Sequence, residues 1–315
     1  MRLEGLHHIT AITADARRNL DFYARVLGLR FVKKTVNFDQ PDAYHLYFAS
    51  EDAAPGSVLT FFELPGAAPG RAGAGMVHRI LWRVGSEASL DFWAARLGDE
   101  GRAAERGHRS LRFADPEGLD SELLVVDVDD VPLTADFPGI TREHAIQGFH
   151  GVRAYAREPE RSWALLGEIL GFAGGRDEWE AKGDERLAVY AHDVPPDPAG
   201  IQGAGTVHHI AWHSRDADHA AWRQTVAGAG YRPTPIIDRQ YFHSIYFREP
   251  GGVLFEIATT SPGFAVDEPA DALGEELILP PQHERLRPLL EQRLTPLGNP
   301  RTTPTRPPAD RAVVR

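Results

Sequence analysis

Two pairs of adjacent histidines and one glutamate are the residues of this chain best suited to metal chemistry. His7-His8 and His208-His209 each begin an apolar run in one half of the chain, and Glu256 ends the strand-like sequence Gly-Gly-Val-Leu-Phe-Glu. Two imidazoles and one carboxylate on one face of an ion leave coordination positions open, as in non-haem Fe(II) oxygenases that hold substrate and dioxygen together. The pattern therefore predicts an open metal site and an enzyme.

Strand geometry selects one histidine of each pair. Side chains alternate between the two faces of a strand, so one member is expected to point into a concave face and the other to pack behind it. The register with Glu256 favours His8 and His209 as ligands. Glu256 has apolar neighbours in its strand, and such a carboxylate is costly to bury without a cation. A single histidine on an apolar strand is more often a hydrogen-bonded core residue, and Arg239 could be the partner of Glu256 in place of a metal.

The segment from Asp238 to Gly252 is dense in polar aromatic and cationic side chains for a short hairpin, and it includes Arg239 and Tyr246. We expect some of these side chains to face a cavity beside the glutamate. In the alternative interpretation, the tyrosines are ordinary strand residues and Arg239 is a surface charge, and none of them has such a role. The intervening turn prevents strand alternation from deciding between these two interpretations.

Composition excludes several functional classes. The 315 residues include 34 Lys and Arg against 45 Asp and Glu, a net charge of −11, so a basic surface for nucleic acid or anionic lipid is not expected. The absence of cysteine rules out disulfides and thiolate sites and leaves histidine and carboxylates as metal ligands. No apolar stretch has the length of a membrane span, and the sequence after Met1 lacks an apolar signal core. We expect a cytoplasmic protein with no nucleic-acid or membrane partner, either monomeric or a homo-oligomer.

One unit occurs four times along the chain. Each copy begins with an apolar strand, continues into a helix with apolar residues at helical spacing, ends that helix at a glycine and then enters β-rich sequence. The opening strands are predicted at Leu6–Ile12, Val77–Val84, Phe149–Tyr155 and Val207–Trp212. We therefore predict an α+β fold in which four βαβββ modules form two cupped, partly open mixed β-sheets with the helices outside.

The chain is long enough for two domains and a tail. We place two modules in residues 1–142, with one metal ligand, and two modules in residues 143–280, with the other two ligands. Residues 281–315 are predicted to form a proline-rich C-terminal tail, to which we assign no chemistry. Within it, Leu286–Leu294 is compatible with a short amphipathic helix and Pro296–Pro308 with irregular structure.

Aligning the units shows which copies keep the ligands. Arg79 of the second unit stands where the fourth has His209, and Gly151 of the third stands where the first has His8. Glu122 of the second unit is the counterpart of the glutamate of the fourth. One complete set of two histidines and one glutamate remains, divided between the first and fourth units.

These residues resemble the vicinal oxygen chelate (glyoxalase/bleomycin resistance/extradiol dioxygenase) superfamily and, within it, the hydroquinone ring-cleaving dioxygenases. The similarity extends from about Leu6 to Thr260 and rests on four segments: Leu6–Thr10, Tyr44–Phe48, His208-His209 and Tyr246–Glu256.

The resemblance implies a mononuclear Fe(II) held by three ligands: His8, His209 and Glu256. It implies roles around a bound phenol for five further residues: His208, Tyr246, Arg239, His7 and Thr10. The implied substrates are dioxygen and a small hydroquinone-type aromatic diol, whose ring opens beside a hydroxylated carbon. His243 stands where an acidic residue is expected in chlorohydroquinone-cleaving relatives, which leaves the preference for ring substituents open.

Two other functions fit the same fold. A glyoxalase-type isomerase or lyase would use the metal to polarise a carbonyl, but its usual site has two carboxylates, so a single glutamate favours oxygen chemistry. A metal-free small-molecule binding protein would not need both histidine positions. Ligand type alone leaves Mn(II), Fe(II), Co(II) and Zn(II) as candidates, because all four accept imidazole and carboxylate.

Overall fold

Four consecutive βαβββ modules make up most of the chain in the computed structural model, which describes residues 1–302. Module 1 contains β1 (Leu6–Thr13), β2 (Arg30–Val36), β3 (Tyr44–Ala49) and β4 (Val58–Glu63). Module 2 contains β5 (Met76–Val84), β6 (Ala104–Gly107), β7 (Ser110–Ala114) and β8 (Asp120–Val125). Module 3 contains β9 (Phe149–Tyr155), β10 (Ala173–Gly175), β11 (Glu178–Lys182) and β12 (Leu187–Asp193). Module 4 contains β13 (Val207–His213), β14 (Ile237–Asp238), β15 (His243–Arg248) and β16 (Leu254–Ala258).

A helical segment follows the first strand of every module. The α-helices of modules 1, 2 and 4 are α1 (Ala16–Leu20), α2 (Glu87–Asp99) and α3 (His219–Gly228). A π-helical turn, Asp21–Val26, extends α1, and module 3 has a 3-10 turn, Pro159–Ser162, followed by a π-helical turn, Ala164–Ile169. Gly28 ends the first helical segment with φ +69°, a left-handed conformation that glycine adopts without a Cβ penalty. The predicted succession of strand, helix and glycine is therefore found in the structure.

The modules pair across the chain to form two eight-stranded mixed sheets. The first sheet has the order β14-β15-β16-β13-β1-β4-β3-β2 and the second the order β10-β11-β12-β9-β5-β8-β7-β6. Modules 1 and 4 thus share one sheet, joined by antiparallel β1 and β13, while modules 2 and 3 share the other. The predicted fold of four modules in two cupped sheets is confirmed. The domain boundary at residue 142 stays a prediction, since each sheet takes strands from both sides of it.

The core lies between the sheets and their helices and includes four fully buried tryptophans: Trp82, Trp93, Trp212 and Trp222. Strand β2 was not predicted, because Lys33 and Lys34 interrupt its apolar pattern. Lys33 is nevertheless completely buried, with its ammonium 2.5 Å from Asp267 and also paired with Glu268. A buried charge is tolerated when it is paired in this way. The partners come from the segment after module 4, so the sequence near β2 does not reveal them.

The second sheet preserves the register of the first without its ligands. The guanidinium of Arg79 lies 2.9 Å from Asp120 and 3.1 Å from Glu122, so an arginine neutralises the carboxylate there. At Gly151 an added Cβ would lie 2.1 Å from the carbonyl oxygen of Val189, which leaves no space for a histidine.

The segment after module 4 packs against module 1. It contains two 3-10 turns, Phe264–Val266 and Pro281–Leu286, and the short helix α4 (Arg287–Arg293), which lies where the sequence predicts a helix. Leu290, Leu294 and Leu297 are buried. The part of the predicted irregular stretch beyond residue 302 lies outside the described residues. Within residues 1–302, no helix combines the length and apolarity needed to cross a bilayer.

Candidate metal site

Two β-bulges present the histidine pairs. In the antiparallel pairing of β1 with β13, His8 is opposite Ala211 and Thr10 is opposite His209, with a shift of register on either side of this stretch. The extra residue is His7 on β1 and His208 on β13. A bulge twists its strand and re-aims side chains, and bulges are frequent next to active sites.

The bulges alter the predicted alternation of side chains. His8 faces the concave side of the sheet, as expected, and His7 lines a separate cavity behind it. On β13, however, both His208 and His209 line the concave side. The prediction that only one member of each pair faces the cup is therefore wrong for the second pair, because it assumed a regular strand.

Three buried donor atoms converge at the centre of the first sheet. Nε2 of His8 lies 3.1 Å and Nε2 of His209 lies 2.9 Å from Oε2 of Glu256, and all three atoms lie within 4.8 Å of one another. Bonds of about 2.1 Å to one first-row metal, at right angles to each other, would hold donors about 3.0 Å apart. Both separations from Oε2 fit adjacent ligands of a single ion, and the third lies within the 4.8 Å that encloses all three donors.

The surrounding hydrogen bonds leave these atoms free for a metal. Nδ1 of His8 lies 2.9 Å from Nδ1 of His7, and Nδ1 of His209 lies 2.7 Å from Nδ1 of His208, so each ligand imidazole is oriented through its other nitrogen. Oε1 of Glu256 accepts a hydrogen bond from the hydroxyl of Ser244. Oε2 is fully buried and has no aligned hydrogen-bond donor. A buried carboxylate oxygen without a hydrogen bond is costly unless a cation satisfies it.

The protonation states also suit a divalent ion. Burial lowers the pKa of His209, so this imidazole is neutral near pH 7. Burial also lowers the pKa of His208, to about 4. Burial alone would raise the pKa of Glu256, but the contacts with His8 and His209 outweigh it and lower that pKa well below its ordinary value. An ionised carboxylate beside neutral imidazole results, which is the ligand set that divalent metals require.

The site opens into a cavity of about 490 Å³ on the concave face, called the cup cavity here. Its principal lining residues are His8, Thr10, Asn37, Phe38, Asp39, His45, Tyr47, Thr60, Phe62, His208, His209, Arg239, Phe242 and Tyr246. Of the predicted site residues, Glu256 lies behind the lining and His7 lies outside it. His243, which raised the question of substituent preference, lines a different cavity, beside His219.

Arg239 does not pair with Glu256 within the described part of the chain. Its Nε donates to the hydroxyl of Tyr246 over 3.2 Å, and its guanidinium lies above the ring of that tyrosine, 5.2 Å from the centroid. Its ion-pair partner is Asp39, at 3.2 Å, which is exposed to solvent. The alternative in which Arg239 neutralises the glutamate is therefore wrong, and its positive charge is available to a ligand in the cup cavity.

A chain of hydrogen bonds runs across β3, β4 and β1, and the sequence analysis does not predict it. The hydroxyl of Tyr47 lies 2.9 Å from Nδ1 of His45, Nε2 of His45 lies 2.9 Å from Oγ1 of Thr60, and Thr60 donates to Thr10 over 3.0 Å. Burial lowers the pKa of His45 and raises that of Tyr47, so both are neutral. The period-two spacing of His45 with Tyr47 was the available signal, because it places both on one face of β3.

The profile of the Glyoxalase/Bleomycin resistance protein/Dioxygenase superfamily matches residues 5–123 and 148–257, which include every strand of the metal-site sheet except the last residue of β16. The chain belongs to this superfamily. The predicted family is thereby confirmed.

Relatives match along nearly the whole chain. MhqO of Bacillus subtilis (strain 168), a proposed ring-cleaving dioxygenase, is 41% identical over 297 residues, which cover 91% of this chain and 94% of MhqO. A chlorohydroquinone/hydroquinone 1,2-dioxygenase of Sphingobium indicum is 33% identical over 315 residues, with 91% of this chain and 94% of that protein covered.

Solved structures agree with the fold. The crystal structure of a proposed dioxygenase from Bacillus subtilis subsp. subtilis str. 168 has a TM-score of 0.87 and 40% identity, covering 95% of this chain and 98% of that chain. Glyoxalase I from Zea mays has a TM-score of 0.59 and 15% identity, with coverage of 82% and 92%. The second similarity concerns the fold alone.

Proposed function

We propose that this protein is a metal-dependent ring-cleaving dioxygenase that opens hydroquinone-type aromatic diols, with Fe(II) held by His8, His209 and Glu256. The observation that carries the proposal is the convergence of these three donors at the floor of a cavity lined by aromatic rings and one available cation. Three ligands on one face of an ion leave room for both a phenolic oxygen and dioxygen. The names of the full-length relatives support the same reaction class.

Fe(II), when bound, would supply Lewis acidity towards a phenolic oxygen and redox chemistry towards dioxygen. The chain's own residues position the aromatic ring. Phe62 and Phe242 line the cup cavity with apolar rings, and Arg239 and Tyr246 contribute polar groups to the same lining. Such a pocket binds the ring by its faces and uses a few polar groups to fix its orientation.

His208 is the proposed proton acceptor for the substrate hydroxyl. It lines the cup cavity next to His209 and is neutral near pH 7, because burial lowers its pKa to about 4. As a weak base it can accept the phenolic proton where a bound metal would make the phenol more acidic. The guanidinium of Arg239, hydrogen-bonded to Tyr246, can stabilise the negative charge left on the substrate oxygen. Thr10, at the end of the hydrogen-bonded chain, helps to hold the polar wall in place.

The decisive experiment is anaerobic loading with Fe(II), followed by measurement of oxygen uptake with hydroquinone, substituted hydroquinones and catechol. Loading with Mn(II), Co(II) or Zn(II) identifies the active metal. We expect Fe(II)-dependent oxygen uptake and loss of the aromatic absorbance with hydroquinones. Cleavage of catechol alone would contradict the proposed substrate. Metal binding without oxygen uptake would favour the isomerase, and failure to bind metal would favour a binding protein.

A further inference from the structure

A second cavity lies behind the metal site. This side cavity has a volume of about 420 Å³. At its outer end are exposed residues, among them Asp52, Pro262, Ala265 and Ala270, and at its inner end is the buried His7. The side cavity therefore leads from the surface to the back of the first histidine pair.

One aromatic ring separates the side cavity from the cup cavity. Phe242 lines both cavities, and its ring centroid lies 5.0 Å from that of His7 and 5.0 Å from that of His8. The wall between the side cavity and a proposed metal ligand is thus about one side chain thick. Phe242 is thus a side chain that the two cavities share.

The chemistry of the side cavity suits a small apolar molecule. Much of its wall consists of alanine, proline, phenylalanine and leucine side chains. Its one arginine, Arg30, donates to the carbonyl oxygens of Glu51 and Ala270 at 2.5 and 2.6 Å. The guanidinium is therefore already engaged by the backbone, and an anionic ligand would have to displace these bonds.

We propose that the side cavity is the route by which dioxygen reaches the metal site, with Phe242 as the partition that it passes. The proposal rests on the proposed function. A diol in the cup cavity would lie between the metal site and the mouth of that cavity, where Phe38 and Asp39 form part of the wall. A second approach lets dioxygen enter after the aromatic substrate is in place, because both reactants must meet at the same ion.

Plugging the outer end tests the route without touching the metal site. Ala265→Trp and Ala270→Trp each place a large side chain at an exposed position of the side cavity. The matched control is Ala220→Trp, at an exposed position that lines the neighbouring cavity beside His219 and does not line the side cavity. We expect both plug variants to lower kcat/KM for dioxygen several-fold and to leave kcat/KM for the quinol unchanged, while the control leaves both constants unchanged. Equal kcat/KM for dioxygen in wild type and plug variants would overturn the proposal, as would an equal loss in the control.

Two further readouts do not require ring cleavage. In xenon-pressurised crystals of the metal-free protein, we expect xenon in the side cavity against Phe242, and none there in Ala265→Trp. In the Fe(II) protein with quinol bound, nitric oxide should bind more slowly in the plug variants than in wild type. Xenon confined to the cup cavity, or unchanged nitric oxide binding, would refute the route. If the wild type consumes no dioxygen but both readouts behave as expected, the proposed function fails and the gas route stands.

Discussion

Adjacent histidines with the same chemistry have different environments in this protein. His8 and His209 direct Nε2 towards Glu256 and use Nδ1 to contact the neighbouring histidine. His7 and His208 make that contact from outside the donor cluster. We therefore expect the first two to determine metal binding and the other two to orient them or to act on the substrate.

Replacing each member of the second histidine pair should separate metal binding from turnover. His209→Ala removes a donor atom and should abolish stoichiometric metal binding. His208→Ala keeps all three donors and should retain metal at stoichiometric loading, although the lost contact with His209 should weaken the affinity. It should lower kcat about 100-fold, since a lost general base costs that order of rate. Elemental analysis and oxygen uptake measure the two effects. Unchanged turnover in His208→Ala would remove this residue from the mechanism.

The hydroxyl of Ser244 should tune the affinity for the metal. It donates to Oε1 of Glu256 and thereby orients the carboxylate. Ser244→Ala should weaken metal binding about 10-fold or more, the effect expected for loss of a partner behind a ligand. Ser162→Ala is the matched control, because Ser162 is equally buried and donates to Glu249, away from the donor cluster. Competition with a chelator measures the affinity, and equal affinities in the two variants would contradict the role of Ser244.

At the scale of elements, the helix of module 1 is anchored to the last hairpin of module 2. The hydroxyl of Tyr23 donates to Asp115 over 3.0 Å, and the backbone amides of Glu117 and Leu119 donate to the same carboxylate at 2.8 Å. Burial nevertheless dominates and raises the pKa of Asp115 from 3.8 to about 6. The folded protein therefore binds the proton of this carboxyl more tightly than the unfolded chain does.

This raised pKa predicts a loss of stability between about pH 4 and pH 6. A folded-state pKa above the unfolded value contributes stability below the unfolded pKa, and this contribution disappears as the pH rises through the folded pKa. A shift of about two units corresponds to about 3 kcal/mol. Between pH 4 and pH 7, the free energy of unfolding should fall less in Asp115→Asn than in wild type, with a difference of up to about 3 kcal/mol. Denaturant unfolding at each pH measures it, with the exposed Asp127→Asn as control, and parallel profiles for wild type and Asp115→Asn would refute the prediction.

At the scale of the whole molecule, the candidate metal site depends on the pairing of module 1 with module 4. His8 comes from β1, while His209 and Glu256 come from β13 and β16 of the same sheet. The two modules that lie between them along the chain form the other sheet and contribute no donor to this cluster.

Separated halves of the chain should therefore fail to bind the metal tightly. Residues 1–142 carry one proposed ligand and residues 143–315 carry two. We expect neither fragment alone to retain metal after gel filtration, and co-expressed fragments to retain it if they associate through β1 and β13. Tight stoichiometric binding by either half alone would contradict a site shared between modules 1 and 4. The intact chain, treated in parallel, is the control.

The amino-acid sequence alone predicted the four modules, the three converging donors and the degenerate counterpart marked by Arg79 and Gly151. These predictions were accessible because periodicity, glycine positions and internal repetition are local properties of a chain. Cytoplasmic location, oligomeric state and the identity of the metal stay predictions.

Only the tertiary structure decided which side chains share the cup cavity with those donors. The bulge that turns His208 into the cavity depends on the pairing of β1 with β13, two strands far apart in the chain. The burial of Lys33 depends on acidic residues that follow module 4. The partition at Phe242 exists because loops from two modules meet behind the sheet. Contacts of this kind are set by packing between distant segments, and local sequence patterns carry no record of them.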